Sequence, residues 1–441
     1  MKRLLGSALA VLVISGSTFA LPVLPGISLV GKGEVSDTAL DKSGLTGDIC
    51  QSGAPTNCVP KAIFGGFGSD ISYTGHDNVF ISAPDRGPFD GLTDVPYLDR
   101  FHFLHITTDV ESPSPNIRTV LLDTRFFRNE LDQTFVGAAG AFVVNNEFAT
   151  LRFDPEGIRV SPNGTFFVSD EYGPYVFEFD RQGNLLRRIT LPARYAIANP
   201  SDNPNSELQN NTSGRQANRG MEGLAISPDG KFLFGIMQNA LIGDHGLNGL
   251  DRLGVNNRII KINLQTGETQ EYVYVLEAIN RGQGVCEILA INDHQFLVLE
   301  RDNRSNLQSP PQAPTRKKIR IIDLNGATDV SAVASLPAGA LPASIHPVSN
   351  DVFIDLLDPA FNLAPTIAEK IEGLAWGPDL PDGRHLLYVV SDNDLNPSIA
   401  TQIYAFAIDP SLLNFQEQLL PGPLYPPGQV KKALAEKGKH N

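Results

Sequence analysis

The 441-residue chain is 41% hydrophobic and carries a formal charge of −14 at pH 7. A chain of this size can bury a large core, and an acidic balance without any basic stripe excludes nucleic acid as a natural partner. Forty glycines and 32 prolines exclude a mainly helical fold and fit a turn-rich β protein.

Met1-Lys2-Arg3 followed by the apolar stretch Leu4 to Phe19 reads as a signal peptide at residues 1–20, with small residues at Thr18 and Ala20 for cleavage after Ala20. The chain is therefore expected in a periplasm or outside the cell. The apolar run is too short to span a bilayer and meets Pro22 and Pro25 at once, and no later segment is long enough, so no membrane span is expected. Residues 21–62 form an N-terminal segment. It holds a lone strand at 27–35 and the cysteines Cys50 and Cys58, whose short loop suits a disulfide in an oxidising compartment, against the alternative of two free thiols. Cys286, inside an apolar run, reads as a buried structural thiol.

From residue 63 to 410 one pattern recurs. An acid, a short apolar strand, a turn such as Ser227-Pro228-Asp229-Gly230 and a second apolar strand follow one another around the anchors Asp70, Glu156, Glu222, Glu287 and Glu372. The anchors stand 65 to 86 residues apart, a spacing that predicts a single all-β propeller of five or six blades. The strand at 27–35 is expected to complete the last blade and remove an open edge. Residues 199–219 and 243–257 read as polar loops, 352–357 as a possible helix, and 411–441 as a surface-tethered or disordered tail. A monomer is expected.

Two positions per repeat carry candidate chemistry: the anchor acid and the end of the second strand, at Asp85-Arg86, Asp170-Glu171, Gln238-Asn239, Glu300-Arg301 and Asp392-Asn393-Asp394. Symmetry brings equivalent positions to equal radius about the axis. Converging carboxylates repel one another unless a cation or arginine compensates, and hard oxygen ligands suit Ca²⁺, or Mg²⁺, rather than zinc. Any single acid before a glycine serves equally well as an acceptor for backbone N–H groups. The whole set, interleaved with Arg86 and Arg301, reads as a polar site. Glu156, Glu222, Glu287 and Glu372 should then sit together at one end of the channel, partly buried, with Arg86 or Arg301 beside them. His102 and His105 fall on opposite faces of one strand and cannot ligate a metal jointly. There is no Gly-x-Ser-x-Gly elbow, His-Glu-x-x-His pair or phosphate-cradling glycine loop with lysine.

The Glu-Gly-Leu/Ile-Ala repeats, Asp-Arg-Gly-Pro at 85–88, Leu-Glu-Arg-Asp at 299–302 and Ser-Asp-Asn-Asp at 391–394 resemble the phytase-like "esterase-like activity" family of exported bacterial and plant proteins, over roughly residues 60–410. One departure is Ala83-Pro84 before Asp85-Arg86, where other strand ends keep Ser or Leu beside the acid. The resemblance implies a propeller with acidic residues tied to phosphomonoesterase or phosphodiesterase activity. Carried over by position, it points to Glu156, Glu222, Glu287, Glu372, Asp85, Glu300 and Asp392 as metal ligands, and to Arg86 and Arg301 as neutralisers of phosphate charge. Glu222 or Glu372 would be the general base, acting on a small phosphoester or other ester. Two further readings fit the same residues: a Ca²⁺-dependent lactonase or carboxylic ester hydrolase, and a non-enzymatic binding or scaffold propeller with structural calcium.

Overall fold

A computed structural model describes residues 25–249, 251–277 and 283–437. The signal peptide expected at 1–20 lies outside the described residues.

Turn chemistry repeats with each hairpin. Ser227 caps the turn before Phe232 by accepting the N–H groups of Lys231 (3.1 Å) and Phe232 (3.0 Å), and Gly230 takes the left-handed conformation at φ 72°. Strands paired in this way form five antiparallel sheets of four strands each. The inner strands are Asp70–Tyr73, Pro155–Val160, Met221–Ile226, Gly284–Ala290 and Lys370–Trp376. Val79–Ala83, Phe166–Asp170, Phe232–Met237, Gln295–Arg301 and His385–Asp392 follow as second strands. Contacts between neighbouring inner strands close the ring from the first blade to the fifth and back. The protein is thus a five-bladed propeller, and its longer repeat intervals hold excursions rather than a sixth blade.

Ile27–Val35 pairs antiparallel with Thr401–Ile408, from Ile27 opposite Ile408 to Val35 opposite Thr401, and supplies the outer strand of the fifth blade. The N-terminus thereby closes the ring and covers the edge that the C-terminal strand would otherwise expose. Cys50 and Cys58 are disulfide-bonded across the hairpin Asp48–Gln51/Ala54–Pro60.

One expectation fails. Ser349–Asp355 is the outer strand of the fourth blade, not a helix, because its backbone pairs with Lys317–Asp323. Of the two readings of the tail, surface-tethered or disordered, the described residues up to 437 take the first. The tail crosses the far mouth of the channel, where the Gln416 N–H reaches Ile291 O (2.9 Å) and the Leu419 N–H reaches Pro228 O (2.7 Å). Helix Pro427–Lys437 follows, and Leu424, Tyr425 and Val430 are buried against the phenylalanine-rich core between the first two blades. Under this strap lies a cavity of 680 Å³ lined by Tyr73, Trp376, Phe415 and Leu420, among others.

The inner strands meet at the glycines of the repeat. A Cβ on Gly223 would stand 2.7 Å from Ile288 N, one on Gly157 2.6 Å from Leu224 N, and one on Gly373 3.0 Å from Gly68 O. The glycine after each glutamate is therefore the place where adjacent blades touch. At the same level Arg159 crosses the channel. Its guanidinium pairs with Asp70 and, at 3.0 Å, with Glu287. It also donates to Ile71 O (3.2 Å), Ile288 O (3.2 Å) and Leu374 O (3.4 Å), while Glu287 accepts the Leu224 N–H at 3.2 Å. All five blades thus join in one buried ionic knot. Removing one member of such a knot strands the others without a partner, which costs about 3–5 kcal/mol. Arg159→Met is expected to lower the free energy of urea unfolding by about that amount; a change below about 1 kcal/mol would show that the knot does not hold the ring.

Candidate functional site

Each inner strand except the first carries a bulge, and in the second, third and fifth blades its glutamate stands there. Met221 faces Met237 and Gly223 faces Ile236, so Glu222 is left over; Glu372 is left over in the same way between Ile371 and Gly373. In the second blade the skipped residues are Glu156 and Gly157. In the fourth blade the skipped residue is Cys286, not Glu287. Glu287 stands at the level of Gly223 and Gly373, and Asp70 does the same in the first blade.

This offset takes one candidate ligand, Glu287, out of the site, together with the anchor Asp70. Glu287 and Asp70 are fully buried and bound to Arg159 and backbone N–H groups, one level below Glu156, Glu222 and Glu372. They are structural. Glu300 fails for the same reason: successive strand residues face opposite sides. Arg301 turns to the channel, so Glu300 points between blades, where it meets the Tyr274 hydroxyl and Arg320 (3.0 Å).

The remaining candidates do assemble. Burial, then the carboxylate of Glu222, then that of Asp154 push Glu156 well above the usual carboxylate range. Glu222 is raised by burial and then by Glu171 and Glu372, with Arg301 and Arg219 opposing. Both are at least nine-tenths buried, and neither side chain has a hydrogen-bond partner among the described residues. Glu372 is hydrogen-bonded to Arg301, and Cys286 shares this surrounding. Burial lifts the Cys286 thiol to about 12. The reading of Cys286 as buried stands, but its place is the floor of the polar site.

Above this level lie residues two positions earlier on the same strand faces, Asp154 and Lys370, together with the ends of the second strands. Oxygens of Asp154, Glu156 and Glu171 lie within 4.8 Å of one another, as do those of Asp85, Asp392 and Asp394. The two clusters differ in what already neutralises them. Lys370 Nζ sits among the second, 3.6 Å from Asp85 and 3.4 Å from Asp392, and also pairs with Asp394. Burial works against the Lys370 charge, but Asp394 and Asp392 hold it protonated. Arg86 lies at the edge of the first cluster, 2.6 Å from Asp154 and 3.1 Å from Glu171, and its other arm reaches Asp90. Its guanidinium is already engaged by three carboxylates. Glu156 lies outside its reach, so the first cluster keeps a free carboxylate and an oxygen-only donor set suited to a hard divalent cation.

Burial tends to raise Glu171, yet Arg86, then Arg219 and Arg215, hold it below its ordinary value. Glu171, held low, thus faces Glu156 and Glu222, which are pushed up, a separation that acid–base chemistry uses. The loop at 199–219 is ordered around helix Pro204–Asn210. There Glu207 pairs with Arg152 (3.1 Å) and Arg215 (2.6 Å), which fixes the segment that carries Arg219 to the channel mouth. Selecting one acid per repeat missed Asp154, Lys370 and Arg219. The period of two from Glu156 and Glu372 marks the first two; nothing in the repeat marks Arg219.

The fold and site define a five-bladed propeller with a blind, charged pit at one end of its channel. The floor is closed, since Asp70 and Glu287 are 0% and Arg159 2% exposed. The phytase-like family, described as "esterase-like activity of phytase", matches residues 62–395, and the chain belongs to that family. A protein of Arthroderma benhamiae described as an uncharacterized secreted protein is 27% identical over 402 residues, 74% of this chain and 75% of the relative. Among solved structures, the chain is similar to the calcium-binding protein regucalcin of Agrobacterium tumefaciens, at 10% identity and TM-score 0.36, over 81% of this chain and 93% of that one. It is also similar to the calcium structure of a Trichoderma reesei family AA12 enzyme, at 10% identity and TM-score 0.32, over 89% and 100%. No helix among the described residues is long and apolar enough to cross a membrane.

The knot gives a pH dependence of known sign. Burial raises both Asp70 and Glu287, against the pull of Arg159. Stability from groups raised in the folded state is full at acid pH and is lost as pH climbs through the raised values. In EDTA the melting temperature should fall as pH rises above the ordinary carboxylate range, and Glu287→Gln should flatten that fall. A melting temperature that rises with pH above that range in wild type would contradict the assignment.

Proposed function

We propose that this protein is an exported, divalent-cation-dependent phosphoric ester hydrolase whose site is the pit at the channel mouth. The observation that carries the reading is the convergence of Asp154, Glu156 and Glu171, with Glu156 unpartnered, beside the arginines of the third and fourth blades. Membership of the phytase-like family supports the ester-hydrolase class, and the description of the relative as secreted supports export.

Asp154, Glu156 and Glu171 would hold the cation, Ca²⁺ or Mg²⁺, which supplies neutralisation of charge on the phosphoryl oxygens. Glu156 must give up its proton for this, so cation affinity should increase as pH rises. Glu171 stays ionised and can take a proton from an attacking water. Glu222, raised and proton-holding, is placed to donate to the leaving oxygen. Glu372, bound to Arg301, orients that arginine, and Asp85 and Asp392 hold Lys370 in place. Burial of the floor limits the water that can compete in the pit. The lactonase reading has less support, because a neutral lactone gives the arginines no charge to meet.

The test is hydrolysis of p-nitrophenyl phosphate, its bis-ester and phytate, with calcium or magnesium and then with EDTA. Turnover that EDTA abolishes is expected, and Glu222→Gln should lower kcat by about 10²-fold or more while the fold stays intact. Glu156→Gln should remove the stabilisation that calcium gives to the melting temperature. The reading fails if no ester is turned over in a metal-sensitive way.

A further inference from the structure

The fourth blade breaks the acid pattern twice: Cys286 replaces the anchor glutamate, and Arg301 stands where Glu171 and Asp392 stand in their blades. Arg219 lies beside it on the neighbouring loop. The two guanidinium groups repel, and burial followed by the charge of Arg301 lowers the pKa of Arg219. Arg219 forms no ion pair with a carboxylate among the described residues, and its guanidinium hydrogen-bonds only the amide oxygen of Gln238. The Nε atoms of Arg219 and Arg301 are both buried and unpartnered. Two adjacent cations with idle, desolvated N–H donors are costly unless an anion completes them. The Nε–Nη2 edge of an arginine is the fork that receives a tetrahedral oxyanion in bidentate fashion; among the described residues that edge is open on Arg219, whose one hydrogen bond is made by Nη1, while Arg301, held at Nη2 by Glu372, offers its Nε.

We propose that Arg219 and Arg301 form the anion-binding half of the pit, receiving the terminal phosphoryl group of a phosphomonoester. This rests on the hydrolase reading above and narrows it. The closed floor at Arg159 admits only the end of a molecule, so a terminal group fits where an internal diester within a chain does not. A monoester dianion also matches two guanidinium charges. Acids of the second blade make the cation side, and the third and fourth blades make the anion side.

Inorganic phosphate, titrated calorimetrically in EDTA, is the probe. Wild type should bind it saturably. Arg219→Gln should raise Kd at least tenfold without lowering the melting temperature, and Arg219→Lys should fall between, since an ammonium keeps the charge and loses the fork. Arg301→Gln should weaken binding similarly. Should that variant unfold through loss of the Glu372 pair, the half-buried Arg219 still carries the test. Arg219→Gln should also lower kcat/KM for p-nitrophenyl phosphate more than for the bis-ester. No phosphate binding by wild type, or unchanged binding by Arg219→Gln, overturns the proposal. Loss of phosphate binding in Arg219→Gln, with no ester turned over by wild type, keeps the anion site and removes the hydrolase reading. Metal-sensitive turnover unaffected by Arg219→Gln does the reverse.

Discussion

Arg159 is the point on which the ring depends. A propeller needs its inner strands close together, and this chain brings them to backbone contact by placing glycine at Gly157, Gly223 and Gly373. Close inner strands leave a narrow channel whose backbone groups need partners. One guanidinium supplies donors toward the first, fourth and fifth blades from its seat on the second, and Glu287 reaches the third. Two acids share that single arginine. Asp70 Oδ1 and Glu287 Oε2 have no other partner, which a proton held between the two carboxyl groups satisfies. The knot therefore sets the spacing of the blades and also closes the channel, making the space above it a blind pit.

The architecture was legible because propeller repeats write the same hairpin several times, and a turn such as Ser-Pro-Asp-Gly has one local meaning. The closing role of residues 27–35 followed from the same logic. The site was legible only to within one residue. Asp70 and Glu287 look like anchors in sequence, yet the fourth blade carries at Cys286 the bulge that the third and fifth carry at Glu222 and Glu372, so its acid, one residue later, falls on the glycine level and Cys286 takes the pit position. Glu300 was misplaced by the same single step, with Arg301 the inward residue. A bulge leaves no composition signal, and one residue decides which face a side chain takes. The strand at 349–355 was missed for another reason: its order comes from long-range pairing, not from local pattern, and long-range contacts likewise decide that the tail is tethered.

Above the knot, like charges are sorted rather than mixed. Lys370 serves as the fixed cation of Asp85, Asp392 and Asp394, and Arg86 is engaged by Asp154, Glu171 and Asp90. What stays uncompensated is the carboxylate of Glu156 on one side and the guanidinium of Arg219 on the other, with Glu222 between the two groups of charge. An unpartnered buried acid and an unpaired, half-buried guanidinium in one pit are costly to folding and useful only to a ligand that carries both a cation and an anion. The fourth blade sharpens that asymmetry, with Cys286 and Arg301 where other blades carry acids.

The account turns on which acidic cluster is open to a cation. A crystal grown with Tb³⁺, a stand-in for Ca²⁺, answers this through its anomalous difference map. A peak within about 2.3–2.6 Å of carboxylate oxygens from Asp154, Glu156 and Glu171 is expected, with Lys370 still seated among Asp85, Asp392 and Asp394. A peak that displaces Lys370, a peak between Asp70 and Glu287, or no peak in the channel would contradict it.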